Sequence, residues 1–165
     1  MNIETAHRIA RYHGYRVEER GIDQVVDDNG GICDAYVCHE TKEIVIEQDR
    51  DAALWHEIAH VYLYATNKEI VTSSAYDDEL FAFAIEASWN NNIGLSDLVE
   101  YSDKGFISTE NVVYYGQRLL EVDSGLSYYS KYYGKSWSRR VTDSQLAELV
   151  GKFLEYAYMT EGDDC

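Results

Sequence analysis

Leu54-Trp55-His56-Glu57-Ile58-Ala59-His60-Val61-Tyr62 is the stretch from which the rest of the chain is read. It holds His-Glu-x-x-His inside an apolar run. Residues four apart share a helix face, so His56 and His60 project side by side, one turn apart, and two neutral imidazoles can hold one Zn²⁺. Glu57 sits about 100° round the helix from His56. From there it can reach a water held by the metal without being a ligand, which is the general-base position of a zinc metallopeptidase. Three fixed letters in five are a weak signal by themselves, and the context strengthens them. Ala52 to Trp55 lead in, Ile58, Ala59, Val61 and Leu63 continue the apolar run, and neither Gly nor Pro interrupts it. A helix from about Asp51 to Thr66 is expected. If the two histidines were only core residues, buried Glu57 would still need a partner, and a metal supplies one.

Working upstream, Thr5 to Tyr12 reads as a short helix stopped by Gly14, and Tyr15-Arg16-Val17 as an edge strand. Asp27-Asp28-Asn29-Gly30-Gly31 is a turn. Cys33 to Cys38 and Glu43 to Glu47 form a hairpin across His39-Glu40-Thr41-Lys42. An extended peptide can dock on such a sheet edge beside a metal helix. Downstream, Asp49-Arg50-Asp51 is expected to cap the metal helix and Asn67-Lys68 to end it. A second helix runs from about Tyr76 to Asn90 and a short third from Leu95 to Ser102. A fourth, capped by Ser108, runs to about Val122, and Thr142 caps a last helix from Ser144 to Met159, with a frayed tail from Glu161 to Cys165. Ser127 to Arg140 carries four positive charges, no acid and five aromatic residues. In this acidic chain, internal neutralisation or contact with an acidic neighbour fits it better than a nucleic-acid platform.

The chain has 165 residues, 45% of them apolar, which is enough for one compact domain. Cys33, Cys38 and Cys165 are an odd number without framework spacing, which suggests reduced thiols and a cytoplasmic setting. No apolar run approaches membrane-spanning length and the N-terminus has no signal-peptide pattern. A net charge of −16 disfavours direct nucleic-acid binding and fits either a basic protein partner or carboxylates that serve only to keep the chain soluble.

A catalytic zinc usually has three protein ligands. The position six residues past His60 is Thr66, and the other histidines, His7, His13 and His39, lie upstream. The third ligand is therefore sought among Asp77, Asp78, Glu79 and Glu86. Glu79 opens the apolar run of the second helix and is the first choice. Glu86, seven residues on and on nearly the same face, is the alternative, and the one that is not the ligand could orient the site.

The order of these features resembles the ImmA/IrrE-type metallopeptidases, which are often encoded on phages and mobile elements. Ala6 to Val17 is similar to their first helix and strand, and Gly30 to Glu47 to their hairpin. His56-Glu57-Ile58-Ala59-His60 matches their zinc motif. Glu79-Leu80-Phe81-Ala82-Phe83-Ala84 resembles the stretch that carries their third ligand, and Leu95 to Leu120 the helical pair after it. The resemblance covers about residues 5–122. Ala59 stands where the family usually has Gly, Leu80-Phe81 where it has Ala-Asn, and Ala87-Ser88-Trp89 where it has Leu-Met-Pro. The resemblance implies a gluzincin-like zinc endopeptidase, and some members of the family cleave DNA-binding repressors. The expected architecture is α+β: a small antiparallel sheet on a zincin-like helical core over 1–122, with a helical C-terminal extension over 123–165 packed on the same domain. Zn²⁺ would be held by His56, His60 and Glu79, with Glu57 as base. A further donor, Tyr or His, usually assists in such sites; among 15 tyrosines, Tyr64 is merely the nearest in sequence. The rival reading is a non-enzymatic acidic interaction protein or DNA mimic whose zinc site is structural or degenerate.

Overall fold

The computed structural model describes residues 2–27, 30–91, 109–123 and 131–162. Helix α1 spans Ile3–Tyr12. Asn2 starts it by accepting the Thr5 N–H at 2.9 Å. Gly14, at φ +80°, turns the chain into the sheet, a conformation that costs a glycine little. The strands are β1 (Arg16–Arg20), β2 (Ala35–Cys38) and β3 (Glu43–Glu47), in the order β1-β3-β2. The expected antiparallel sheet is corrected here to a mixed one. β2 and β3 form the antiparallel hairpin, but β1 pairs with β3 in parallel. The reason lies in β3. Its Ile44-Val45-Ile46 core is buried throughout, so it takes the middle position, where both edges are paired. Half-buried β2 is left at an edge. The Asp27–Gly31 turn is closed by the Asp27 N–H to the Gly31 carbonyl at 2.9 Å; its Asp28 and Asn29 lie outside the described residues.

The metal-motif helix, α2, spans Asp51–Thr66 as expected. Every residue from Leu54 to Leu63 is buried, so it is a central helix covered all round. Its cap differs from expectation: Arg50 occupies the N-cap without a side-chain bond, and Asp51 only adds negative charge to the first turn. A short helix absent from the sequence reading, α3 (Lys68–Ser73), makes the reversal after Asn67. Helix α4 follows, Ala75–Asn90, capped by Ser74, whose hydroxyl accepts the Asp77 N–H at 3.0 Å. Helix α5 spans Thr109–Asp123 and α6 Asp143–Gly162. The expected helix over Leu95 to Ser102 and the Ser108 cap lie outside the described residues. Thr142 does cap α6: its hydroxyl accepts the Gln145 N–H while Gln145 Oε1 accepts the Thr142 N–H, a reciprocal capping box.

Helix α4 packs most extensively on α2 and α5, and α6 closes the core against α1, α4 and α5. Gly116 on α5 lets two helices approach closely, since a Cβ there would stand 2.7 Å from the Ala84 backbone nitrogen on α4. Trp55, Phe81 and Phe153 meet edge-to-face inside, and that contact seals the C-terminal helix onto the metal-motif helix. The ends of the chain are tied as well. The Asn2 N–H donates to Glu161 Oε1 and the Arg8 guanidinium to the Thr160 carbonyl, and α6 runs on to Gly162; Asp163 to Cys165, the rest of the tail expected to fray, lie outside the described residues. Among the described residues no helix is long and apolar enough to cross a membrane.

Candidate metal centre

Helices α2 and α4 run antiparallel through the centre of the fold, and their facing side chains form the site. Glu79 lies between the two histidines. Its Oε2 is 3.3 Å from His56 Nε2 and its Oε1 is 3.4 Å from His60 Nε2. All three residues are buried, and each offers a ligand atom within 4.8 Å of the others. The Nδ1 atoms point the other way, each toward a second carboxylate. His60 Nδ1 is 2.8 Å from Asp78 Oδ1, and His56 Nδ1 is 3.1 Å from Glu86 Oε1, within ion-pair range though not aligned as a hydrogen bond.

These distances separate two kinds of contact. A charge-assisted hydrogen bond is typically about 2.7–2.9 Å long, and His60 to Asp78 fits that range. The two Nε2-to-Glu79 distances are longer. Ligand atoms about 2.0–2.1 Å from one tetrahedral ion are themselves about 3.3–3.4 Å apart, and both observed spacings match. His₂Glu is a known catalytic zinc donor set, and an imidazole that gives one nitrogen to a metal usually has the other held by a carboxylate. The buried group can thus hold a metal ion, and its donors suit zinc. Glu79 is the carboxylate that stands between the two histidines, and Glu86 lies against His56 Nδ1. Asp78 lies likewise against His60 Nδ1, a pairing sequence reasoning did not assign. The signal available was its spacing of eight residues from Glu86, close to two helical turns. Asp77 is not part of the centre; its Oδ2 accepts the backbone N–H groups of Arg140 and Val141, each at 2.9 Å.

The centre opens into a cleft of about 430 Å³. Strand β2 lines it together with His39, Glu57, Val71, Tyr132 and Tyr133. Glu57 is 7% exposed, and burial raises its pKa even though His60 and His56 pull the other way. Burial alone would lower both histidines. For His56 the close carboxylates of Glu79 and Glu86 outweigh it, and for His60 the charges of Asp78 and Glu79 do, so both rise above the ordinary histidine value. Glu79 moves oppositely: burial would raise it, but the two histidines hold it well below the ordinary carboxylate range. In the absence of metal, then, the carboxylates around them favour the charged form of both imidazoles. Their raised values stabilise the metal-free fold below the unfolded pKa of about 6.5, and that contribution is lost as pH climbs through the folded values. Metal ligation requires neutral imidazoles, so zinc uptake is expected to release protons. Calorimetric titration in buffers of different ionisation enthalpy measures this directly; release of none would mean that the imidazoles are already neutral before the metal binds.

His39 also lines the cleft. Its Nδ1 is 2.7 Å from the Tyr15 hydroxyl and its ring stacks on Tyr64 at 4.1 Å. Tyr64, the nearest tyrosine in sequence, is thus engaged with His39 and is not among the residues lining the cleft. Tyr133 takes a place there that sequence distance concealed: its hydroxyl lies 3.5 Å from Glu79 Oε1. Burial, then the charges of Glu79 and Asp78, raise its pKa and keep the phenol neutral. In comparisons with known proteins, no family model, curated protein or solved structure matches this chain.

Proposed function

We propose that the chain is a zinc-dependent endopeptidase acting on a protein substrate. The observation that carries this reading is the convergence of His56 Nε2, His60 Nε2 and Glu79 at ligand-pair spacing, beside a buried glutamate that lines an open cleft. A purely structural site would need neither the cleft nor Glu57. The order of features that resembles the ImmA/IrrE-type peptidases supports the same reading. When bound, zinc would supply a Lewis acid for the scissile carbonyl and lower the pKa of a water.

The chain's own residues do the rest. Glu57 takes a proton from the attacking water and carries it to the leaving nitrogen, and its burial, by raising its pKa, suits it to hold that proton in between. Asp78 and Glu86 fix the two imidazole rings so that each Nε2 faces the centre. Strand β2, at the sheet edge and along the cleft, offers backbone groups to an extended peptide. The cleft lining includes Asp27, Glu57, Asp78 and Glu79, and the chain's net charge is −16. A basic substrate fits these charges, and a DNA-binding repressor is one such class.

The test has two parts. Protein purified without chelator is expected to carry about one zinc per chain by elemental analysis. Mixed with basic DNA-binding proteins, it is expected to give defined fragments by mass spectrometry, at a rate that falls as salt screens the charges. No zinc after purification and none taken up on titration would overturn the reading, and a cleavage rate indifferent to ionic strength would remove its electrostatic part.

A further inference from the structure

We infer that segment 131–141 belongs to the active site and that Tyr133 donates a hydrogen bond to the carbonyl oxygen under attack; this rests on the peptidase reading. The basic, aromatic stretch that sequence reading left without a role is fastened to the first turn of α4, the helix that carries Glu79. Ser74, the cap of that helix, donates its hydroxyl to the Ser138 carbonyl at 2.7 Å. Fully buried Asp77 accepts from the backbone of Arg140 and Val141. Tyr76 packs edge-on against Trp137 at 5.1 Å, and Trp137 stacks nearly parallel on Tyr133 at 5.6 Å. Ser136 Oγ donates to the Tyr133 carbonyl at 2.9 Å. Four contacts therefore set the register between Tyr133 and Glu79 across a single helical turn.

The phenol is held at the centre before any substrate arrives. A fixed neutral donor is the kind of group that stabilises charge developing on a carbonyl oxygen. The bond changes balance without further reagents. Water attacks the carbonyl carbon, a C–O bond forms, and the carbonyl π pair moves onto oxygen, which accepts the Tyr133 O–H without taking its proton. That pair then re-forms the C=O as the C–N bond breaks, and Glu57 delivers the water's proton to the leaving nitrogen. The tyrosine is unchanged at the end.

The test uses the full-length, zinc-loaded chain. The probe is a whole-proteome peptide library made with a Glu-specific protease, which leaves lysine and arginine internal. The best-cleaved peptide then serves for kinetics. Y133F is expected to lower kcat by about 10²–10³-fold, the usual effect of removing one such donor. KM should stay within about threefold, because the bond is made only in the transition state. Y64F, which removes a hydroxyl outside the cleft, should match wild type. W137A should lower kcat less than Y133F, and the double variant should resemble Y133F alone, because the ring acts by positioning the phenol. Zinc content should be unchanged in Y133F. A phenolate-to-metal charge-transfer band in the Co²⁺-substituted wild type that disappears in Y133F would make the phenol a metal ligand and overturn the inference, as would wild-type kcat in Y133F. A zinc-loaded wild-type protein that cleaves nothing in the library overturns the peptidase reading, and this inference with it; an active wild type with an equally active Y133F overturns the inference alone.

Discussion

Glu57→Gln is expected to abolish most peptidase activity while leaving the metal centre whole. The amide matches the carboxylate in size but cannot accept a proton at neutral pH. Glu57 is not among the three residues that converge as ligands, so zinc stoichiometry should stay at the wild-type value. Stability should not fall either. Burial raises the Glu57 pKa, so the site disfavours the charged form, and a neutral amide carries no such penalty. Activity should drop by about 10²–10⁴-fold, the worth of a positioned acid–base group. Zinc content, melting temperature and cleavage are to be measured together on one preparation. A variant that remains fully functional would end the peptidase reading and leave the acidic interaction protein with a structural zinc as the better account.

The second large effect concerns the ligands. Glu79→Ala removes the carboxylate that both Nε2 atoms face and leaves two buried imidazoles with one fewer negative neighbour. Metal affinity and activity should be lost together, and the same is expected of His56→Ala. Glu86→Ala and Asp78→Ala remove only the groups on the Nδ1 side. Each should weaken zinc binding by about 10–100-fold, the range for outer partners of a metal-bound histidine. Competition against a chelating dye ranks the four variants on one scale. If Glu86→Ala or Asp78→Ala proves as damaging as Glu79→Ala, the ligand has been assigned to the wrong carboxylate.

These two experiments concern residues visible in the sequence, and the reason is local. His56, Glu57 and His60 lie within five residues on one helix, so helical periodicity alone sets their relative positions. Glu79 was legible for a related reason: it opens the apolar run of α4, where a carboxylate must point at something in the core. The helix bounds of α2 and α4 were also close, because long runs without Gly or Pro carry a strong pattern. Cap chemistry at Arg50, the intervening α3 and the strand order depend on contacts that no single segment encodes. The sheet illustrates this well. The hairpin was readable from its two runs and its turn, but the partner of β1 was not, because the middle place goes to whichever strand the surrounding core buries on both sides.

By itself, then, the sequence determined the metal-motif helix, its two histidines, the adjacent glutamate and the helix that brings Glu79. It could not assign Asp78 to His60 and Glu86 to His56, since that pairing follows from the antiparallel docking of α2 on α4. Nor could it bring Tyr133 to the centre. Fifty-four residues separate Tyr133 from Glu79, and no periodicity spans that interval. Their meeting is decided by Asp77, Ser74 and Tyr76, which hold 131–141 through two backbone N–H groups, one carbonyl and one aromatic ring. Backbone N–H and carbonyl groups occur at nearly every residue, so such contacts leave almost no mark on composition or pattern, and only the folded chain selects among them.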